Sequence, residues 1–252
     1  MKVIYVTSDV TYVRDNYLHL VTEVTNPGRL PPGVEVLGMV LLRIPTWYVL
    51  RNVAGLQVMG APRVGVVLLK NLITSRFGDQ RVRILRQRGI PIFRCGSMNS
   101  VEALAWLKSR LPDLIVNQRT RNIFKDEVLG VPKLGCINIH HGLLPDNRGT
   151  MCDLWAWSEG LPVGFTIHWM NKKIDDGRLI VRCEVNVKGC RSYPDIPMAS
   201  SRIEADALIS VLQTIEKRGP SIGEPNRSSG FPHRRNPTYA QIQSIRRRGF
   251  LL

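Results

Sequence analysis

The sequence predicts an α/β fold in which a mostly parallel sheet carries helices on both faces. Short β-branched runs alternate with helical patterns through most of the chain, which is typical of parallel sheets. The 252 residues, 44% of them hydrophobic, are enough for one sizeable core. From residue 218 onward the sequence becomes rich in Pro, Gly and Arg. We therefore expect one domain over residues 1–217 and a short basic C-terminal tail over residues 218–252.

Apolar and β-branched runs indicate the strands. They fall at residues 3–6, 34–42, 90–93, 114–116 and 136–139, and two later runs lie at 163–169 and 179–187. Helical patterns fall at residues 80–88, 99–111, 123–129 and 205–217. Strands joined through helices in this way favour parallel pairing with right-handed crossovers.

Capping and turn residues set the helix boundaries. Gly89 can adopt the left-handed conformation that ends the helix at 80–88. Asn99 is the expected N-cap of the next helix, with Glu102 three residues later, and Pro112 ends that helix. In the tail, Pro220, Gly230 and neighbouring serines indicate that much of it is disordered.

In parallel sheets, ligands bind beyond the carboxyl ends of the strands. His140 falls just past the strand predicted at residues 136–139, so it lies where this rule places chemistry. The first strand is followed by residues 7–11, TSDVT, and not by a glycine-rich phosphate loop. A dinucleotide or triphosphate site at that position is therefore not expected.

The net charge of +15 favours an anionic partner, which leaves a phosphorylated small molecule, a nucleic acid or an acidic membrane surface open. Five cysteines without a C-x-x-C pair indicate reduced thiols, and they are too dispersed for a zinc site, so no metal is expected. The N-terminal residues lack the apolar core of a signal peptide. These features together predict a cytoplasmic protein.

Residues 44–73 form an apolar but basic segment. Prolines and the basic residues Arg51, Arg63 and Lys70 interrupt it, so it contains no span long enough for a transmembrane helix. A pair of helices packed in the core is the favoured interpretation. A segment on a membrane surface, a homodimer interface and a contact for a lipid-bearing substrate stay open as alternatives.

Three ordered motifs carry a family resemblance. Residues 136–145 read CINIHHGLLP, and Arg148-Gly149 follow; residues 164–168 read GFTIH, and residues 175–177 read DDG. With GIPI at 89–92, PDLIV at 112–116 and LGVP at 129–132, this series closely resembles the formyltransferases that use formyltetrahydrofolate. The resemblance spans roughly residues 81–187 and is similar in kind to small sugar N-formyltransferases. It implies a Rossmann-like sheet and a formyltransferase catalytic domain within residues 1–217.

The resemblance implies that Asn138, His140 and Asp175 are catalytic. In formyl transfer an amine attacks the formyl carbon and negative charge develops on the oxygen, which the Asn138 amide can stabilise. His140 can donate to that oxygen or relay the proton that the amine loses. Asp175 can orient the imidazole and order a water molecule for transfer to the leaving nitrogen.

The resemblance also implies a binding site for N10-formyltetrahydrofolate. Asp175 would face the folate ring on one side, and residues Arg121, Asn122, Ile123 and Phe124 would face it on the other. Ile123 and Phe124 can equally be core residues. His168 is expected to support the Asp175 loop.

The acceptor is less constrained, because relatives often carry other residues at His141 and Gly142. These two residues and Arg148 are the candidate substrate contacts. The anionic amine favoured by the charge is an amino sugar linked to a nucleotide. Another metabolite, a purine precursor or an aminoacyl-tRNA stays open, although residues 218–252 are too few for the β-barrel of tRNA-formylating relatives. A basic nucleic-acid-binding protein without catalysis is the alternative from another class; DNA is not expected as a partner.

Overall fold

The computed structural model describes residues 1–227 and 233–252, and in these residues seven strands form one sheet. The strands are β1 Lys2–Ser8, β2 Glu35–Leu42, β3 Ile92–Cys95, β4 Leu114–Gln118, β5 Gly135–His140, β6 Gly164–Trp169 and β7 Leu179–Glu184. Their order is β3-β2-β1-β4-β5-β6-β7, with β1 to β5 parallel and β6 and β7 antiparallel. The predicted, mostly parallel α/β fold is confirmed.

Helices cover both faces of this sheet. They are α1 Leu18–Val24, α2 Thr46–Met59, α3 Pro62–Phe77, α4 Gln80–Gln87, α5 Val101–Arg110, α6 Asp126–Leu129, α7 Cys152–Glu159, α8 Asp195–Arg218 and α9 Tyr239–Arg247. Because side chains alternate along a strand, β1 supplies Val3 and Tyr5 to one core and Ile4 and Val6 to the other. Both faces are therefore apolar and sequestered, which leaves the carboxyl ends of the strands for polar residues.

Several predicted boundaries are wrong. The strand expected at 90–93 is β3 at Ile92–Cys95. The N-cap of α5 is Ser100, whose hydroxyl accepts from Ala103 N, whereas the predicted cap Asn99 bonds to the backbone of Ile123 and Lys125. Residues 123–125 lie outside any helix, and Lys125 has an extended backbone. The helix expected at 123–129 is consequently confined to α6, Asp126–Leu129.

The last predicted helix is also longer than expected, because α8 begins at Asp195 and not at residue 205. The tail then contains a helix that its composition did not indicate. Thr238 and Gln241 form a reciprocal capping box at the start of α9, and Ile242 and Ile245 are buried against Trp155 and its neighbours. Gly230, part of the disorder prediction, lies outside the described residues.

Helices α2 and α3 account for the apolar segment at residues 44–73. The expected pair of helices is present, but one face of each is exposed; Val49, Leu68 and Leu72 are buried, whereas Trp47 and Phe77 are exposed. Within residues 1–227 and 233–252, every helix is too short or too polar to cross a membrane.

Candidate active site

His140 is the last residue of β5, so the strand ends one position later than the sequence predicted. Its Nε2 lies 2.7 Å from the carbonyl oxygen of Asn147, which can only accept, so Nε2 carries the hydrogen. Its Nδ1 lies 3.4 Å from Asp175 Oδ1. The backbone contact therefore fixes the tautomer and leaves Nδ1 facing the carboxylate.

Asn138 lies two residues earlier on the same strand and belongs to a short chain of hydrogen bonds. Its Oδ1 accepts from Asn117 Nδ2 at 2.9 Å, and its Nδ2 donates to His168 Nε2 at 3.1 Å. The antiparallel register pairs Asn138 with His168 directly across β5 and β6. One hydrogen of the Asn138 amide is thus committed to His168, which leaves a second hydrogen for a ligand.

His168 is more closely involved than a support for the Asp175 loop, which was its predicted role. Its Nδ1 donates to the carbonyl of Trp169 at 2.8 Å, so Nε2 must be the acceptor for Asn138. Burial, and to a lesser extent the proximity of His140, lower the pKa of His168 to about 4. A neutral His168 orients the Asn138 amide, while its Nε2 lies 3.7 Å from Asp175.

Asp175 follows β6 on a tightly held loop and has a positive φ of 51°. Its Oδ2 accepts from Gly149 N at 3.3 Å, and Asn226 Nδ2 donates to its carbonyl at 2.9 Å. At Gly177 a Cβ atom would lie 1.8 Å from the carbonyl oxygen of Trp169, so the loop requires glycine there. The carboxylate is buried and has a fixed position beside His140.

A cavity of about 540 Å³ opens in front of Asn138, His140 and Asp175. All of the predicted folate-facing residues line it: Arg121, Asn122, Ile123, Phe124 and Asp175. The sequence left open whether Ile123 and Phe124 contact a ligand or belong to the core. The side chain of Ile123 is 59% exposed, whereas that of Phe124 is only 3% exposed. Ile123 presents its side chain to the cavity region, whereas Phe124 also belongs to the core beneath it.

The three predicted substrate contacts differ in position. His141 lines the cavity, but across the described chain neither Gly142 nor Arg148 does. The guanidinium of Arg148 instead contacts Asp176 and Asn226, at 3.4 and 2.9 Å. Arg148 therefore braces the Asp175 loop and is not placed to contact an acceptor.

The sequence did not indicate the buried polar network around His141. Its Nδ1 lies 3.1 Å from Asp153 Oδ2, and its Nε2 lies 3.1 Å from Tyr17 Oη and 3.2 Å from Glu204 Oε1. Arg119 ion-pairs with Glu204 at 2.6 Å and donates to Tyr17 Oη. These residues come from five separate segments, so spacing could not reveal them. The buried carboxylate Glu204 lies on α8 one residue before the helix that the sequence predicted, so it gave no signal.

Burial raises the pKa of both carboxyl groups in this network, Asp153 and Glu204, and Arg119 partly offsets this effect. Tyr17 joins the network through an unusual backbone, because it and the two preceding residues have positive φ values of 52–63°. Strained backbone of this kind persists only where neighbouring contacts hold it. The network thus forms a rigid polar wall beside His140.

The tail forms part of the cavity, which the division at residue 218 did not anticipate. His233, Arg234 and Asn236 line it. Arg234 N donates to the carbonyl of Arg148 at 2.7 Å, and Thr150 N donates to the carbonyl of Arg234 at 2.9 Å. The tail therefore lies against the loop that follows His140.

Comparison with known proteins gives a consistent result. A family model described as formyl transferase matches residues 80–212. The methionyl-tRNA formyltransferase of Akkermansia muciniphila is 34% identical over 135 residues, which are 53% of this chain and 43% of that protein. The chain spans less than half the length of such curated relatives.

Solved structures share the fold. A sugar N-formyltransferase from a Shewanella species superimposes with a TM-score of 0.58 at 19% identity, covering 93% of this chain and 76% of that one. A phosphoribosylglycinamide formyltransferase from Bacillus halodurans gives a TM-score of 0.61 at 16% identity, covering 86% of this chain and 96% of that one.

Proposed function

Since the chain belongs to the formyl transferase family, we propose that it is an enzyme that transfers a formyl group from N10-formyltetrahydrofolate to a primary amine. The observation that carries the proposal is the meeting of Asn138, His140 and Asp175 at one cavity. Their side chains combine a fixed amide donor, an imidazole of defined tautomer and a buried carboxylate. This set suits acyl transfer to an amine.

Asn138 is assigned the stabilisation of negative charge on the formyl oxygen. Asn117 and His168 fix the amide orientation, and the second Nδ2 hydrogen is the donor to that oxygen. A donor that is oriented before the reaction needs no reorganisation when the charge develops.

His140 is assigned the proton that the attacking amine loses. Its Nε2 hydrogen is held by Asn147, so Nδ1 is the basic atom, and Asp175 lies 3.4 Å from it. The carboxylate stabilises the imidazolium that forms when Nδ1 takes the proton. Asp175 accordingly acts as the orienting and charge-balancing partner.

The cavity fits a folate carrier, whose N10 nitrogen supplies the activated formyl group. Its volume of about 540 Å³ is within the range of ligand sites. The flanks combine the exposed apolar side chains of Ile123 and Ile174 with the cationic Lys172 and Lys173. These residues suit a flat ring and an acidic tail respectively.

For the acceptor we favour an amino sugar linked to a nucleotide. The cavity wall includes Arg121 and His233, cationic or polar groups that can face a diphosphate, whereas the guanidinium of Arg234 is paired with Glu159. The fold likeness to structures described as sugar N-formyltransferases extends over 93–97% of this chain. An aminoacyl-tRNA is the second candidate, because curated relatives such as that of Akkermansia muciniphila are methionyl-tRNA formyltransferases.

The test is tetrahydrofolate release from formyltetrahydrofolate, followed by absorbance, with nucleotide-linked amino sugars and with methionyl-tRNA as separate acceptors. We expect release with one sugar. Asp175→Asn and His140→Ala should each lower turnover at least about a hundredfold. His19→Ala, a change at an exposed histidine of α1, is the matched control and should leave turnover unchanged.

Turnover within a few fold of the unaltered enzyme in Asp175→Asn would overturn the assigned roles. Release with methionyl-tRNA alone would replace the sugar by the second candidate. Failure to bind the folate in calorimetry would overturn the proposed activity itself.

A further inference from the structure

The α2–α3 helical pair has an exposed apolar face that the catalytic site does not use. This hairpin face consists of Trp47, Leu50 and Val58 on α2 and Val66, Leu69, Ile73 and Phe77 on α3. Phe77 is 88% exposed, Val58 78% and Trp47 63%. Isolated exposed apolar residues are ordinary, but seven on two adjacent helices indicate an interaction surface.

The spacing shows that the face is a continuous feature of each helix. Positions 66, 69, 73 and 77 of α3 are one turn apart and lie along one side. On α2, positions 47, 50, 54 and 58 follow the same spacing, with Ala54 completing the row. The opposite sides of the helices carry Val49, Leu68 and Leu72 into a small core. Both helices are thus apolar on two sides, and the residues that the structure describes bury only one of them.

The charges around the hairpin face have one sign. Between Glu35 and Asp79 the sequence contains no acidic residue, whereas Arg51, Arg63 and Lys70 are exposed beside the apolar rows. Arg51 lies 5.3 Å from the ring of Trp47, which joins a cation to an exposed aromatic. This combination matches the interface of a membrane, where tryptophan and basic side chains anchor at the level of anionic headgroups.

A second copy of the chain fits this face poorly. In a symmetric dimer the same face meets itself, so Arg51, Arg63 and Lys70 would approach like charges without an acidic partner from the hairpin. An anionic surface neutralises all three. We propose that the hairpin face docks the protein onto an anionic lipid bilayer.

Docking at this face would place the cavity near the membrane. Ile44, two residues before α2, lines the cavity and packs against the hairpin core, as do Val10 and Tyr12. Arg76 ties the end of α3 to Asp9 at 2.7 Å and to the carbonyl of Ile44 at 2.8 Å. The hairpin is therefore fixed to the cavity rim.

The test is co-sedimentation of the full chain with vesicles of phosphatidylcholine, alone or with roughly 30% phosphatidylglycerol. We expect binding to the anionic vesicles, little binding to the neutral ones, and weakening as salt rises from about 50 to 500 mM. Tryptophan emission should shift to shorter wavelength on binding, and Trp47→Phe should reduce that shift.

Two variants test the two parts of the face. Leu50→Gln with Phe77→Gln should weaken binding about tenfold or more, because both side chains would enter the interface. The matched control is Val101→Gln with Leu161→Gln, two exposed apolar residues outside α2 and α3, and it should bind normally.

The charge variant, Arg51→Glu with Lys70→Glu, should also lose binding to anionic vesicles by about tenfold or more. Its control, Arg86→Glu with Lys108→Glu, makes the same change in net charge on α4 and α5 and should lose much less. Equal loss in both would mean that net charge alone attracts the protein, which would overturn the proposal.

Absence of sedimentation with anionic vesicles would also overturn it. Light scattering offers a second check. If the unaltered protein is a dimer and the variant Leu50→Gln with Phe77→Gln is a monomer, a second copy covers the face and the proposal is overturned.

Discussion

Gly142 illustrates how one residue can set the geometry of the site without lining the cavity. A Cβ atom there would lie 2.5 Å from the carbonyl oxygen of Asn147 and 2.8 Å from His140 Nε2. Those two atoms form the hydrogen bond that fixes the His140 tautomer. The absence of a side chain at position 142 therefore permits the bond that leaves Nδ1 as the basic atom.

We expect Gly142→Ala to lower turnover about tenfold or more, because a displaced imidazole loses its alignment. Turnover and circular dichroism should be measured together. Gly55→Ala is the matched control, since a Cβ at this exposed helical position meets nothing within 4 Å; it should keep full turnover. An unchanged rate in Gly142→Ala would show that the tautomer contact is dispensable.

His168 makes the free energy of unfolding depend on pH, and the sign of this dependence can be derived. Its pKa is about 4 in the folded protein against about 6.5 in the unfolded chain, so between these values the unfolded chain binds more protons. The free energy of unfolding should consequently fall as pH is lowered through this window, by up to about 3 kcal/mol. Asp153 and Glu204, with raised pKa values, contribute the opposite sign.

Urea unfolding at about pH 7 and about pH 4.5 measures this contribution. His168→Gln should reduce the loss of stability between the two conditions, while the exposed His19→Gln should retain it. The same pH slope in His168→Gln as in the unaltered protein would mean that other groups produce the dependence.

At the scale of elements, the sheet could be predicted because each strand has a local signature. Residues 3–6 and 114–116 are apolar throughout, as strands buried on both faces must be, and the structure confirms both. Boundaries were less predictable where distant contacts decide them. Asparagine commonly caps helices, but the side chain of Asn99 bonds to the segment at 123–125. Ser100 is therefore the N-cap of α5.

The same limit applies to the site. Asn138, His140 and Asp175 could be found because they stand in ordered motifs, and the structure brings all three to one cavity. The partners of His141 come from segments far apart in sequence. The left-handed turn that ends at Tyr17 contains no glycine, so its sequence does not indicate a positive φ. Long-range contacts create both, so neither could be read from the residues.

At the scale of the whole molecule, hydrogen bonds tie the tail to the loop that carries Asp175. Asn226 lies in the tail, yet its amide donates to the carbonyls of Asp175 and Gly177 and its Oδ1 accepts from Arg148. In the described chain Asn226 does not line the cavity. It acts through the loop that presents the carboxylate.

Asn226→Asp is therefore expected to lower turnover severalfold or more, because a carboxylate cannot donate to the two carbonyls although it still accepts from Arg148. Steady-state kinetics check this, and the loss should appear in kcat more than in KM for the acceptor. Asn186→Asp, a change in a different loop, serves as control. A normal kcat in Asn226→Asp would show that the loop holds its position without the tail.

The return of residues 233–236 to the cavity wall also has a consequence for biosynthesis. Strands β1 to β5 can pair once the ribosome has released residue 140, and the core of the sheet then has its full set of parallel partners. The cavity wall at that point still lacks all of its later residues, from His168 and Asp175 to the tail residues His233, Arg234 and Asn236. We therefore expect a stage of translation at which the parallel strands have emerged while the cavity is still open, and the wall can be completed only after residue 236 has emerged.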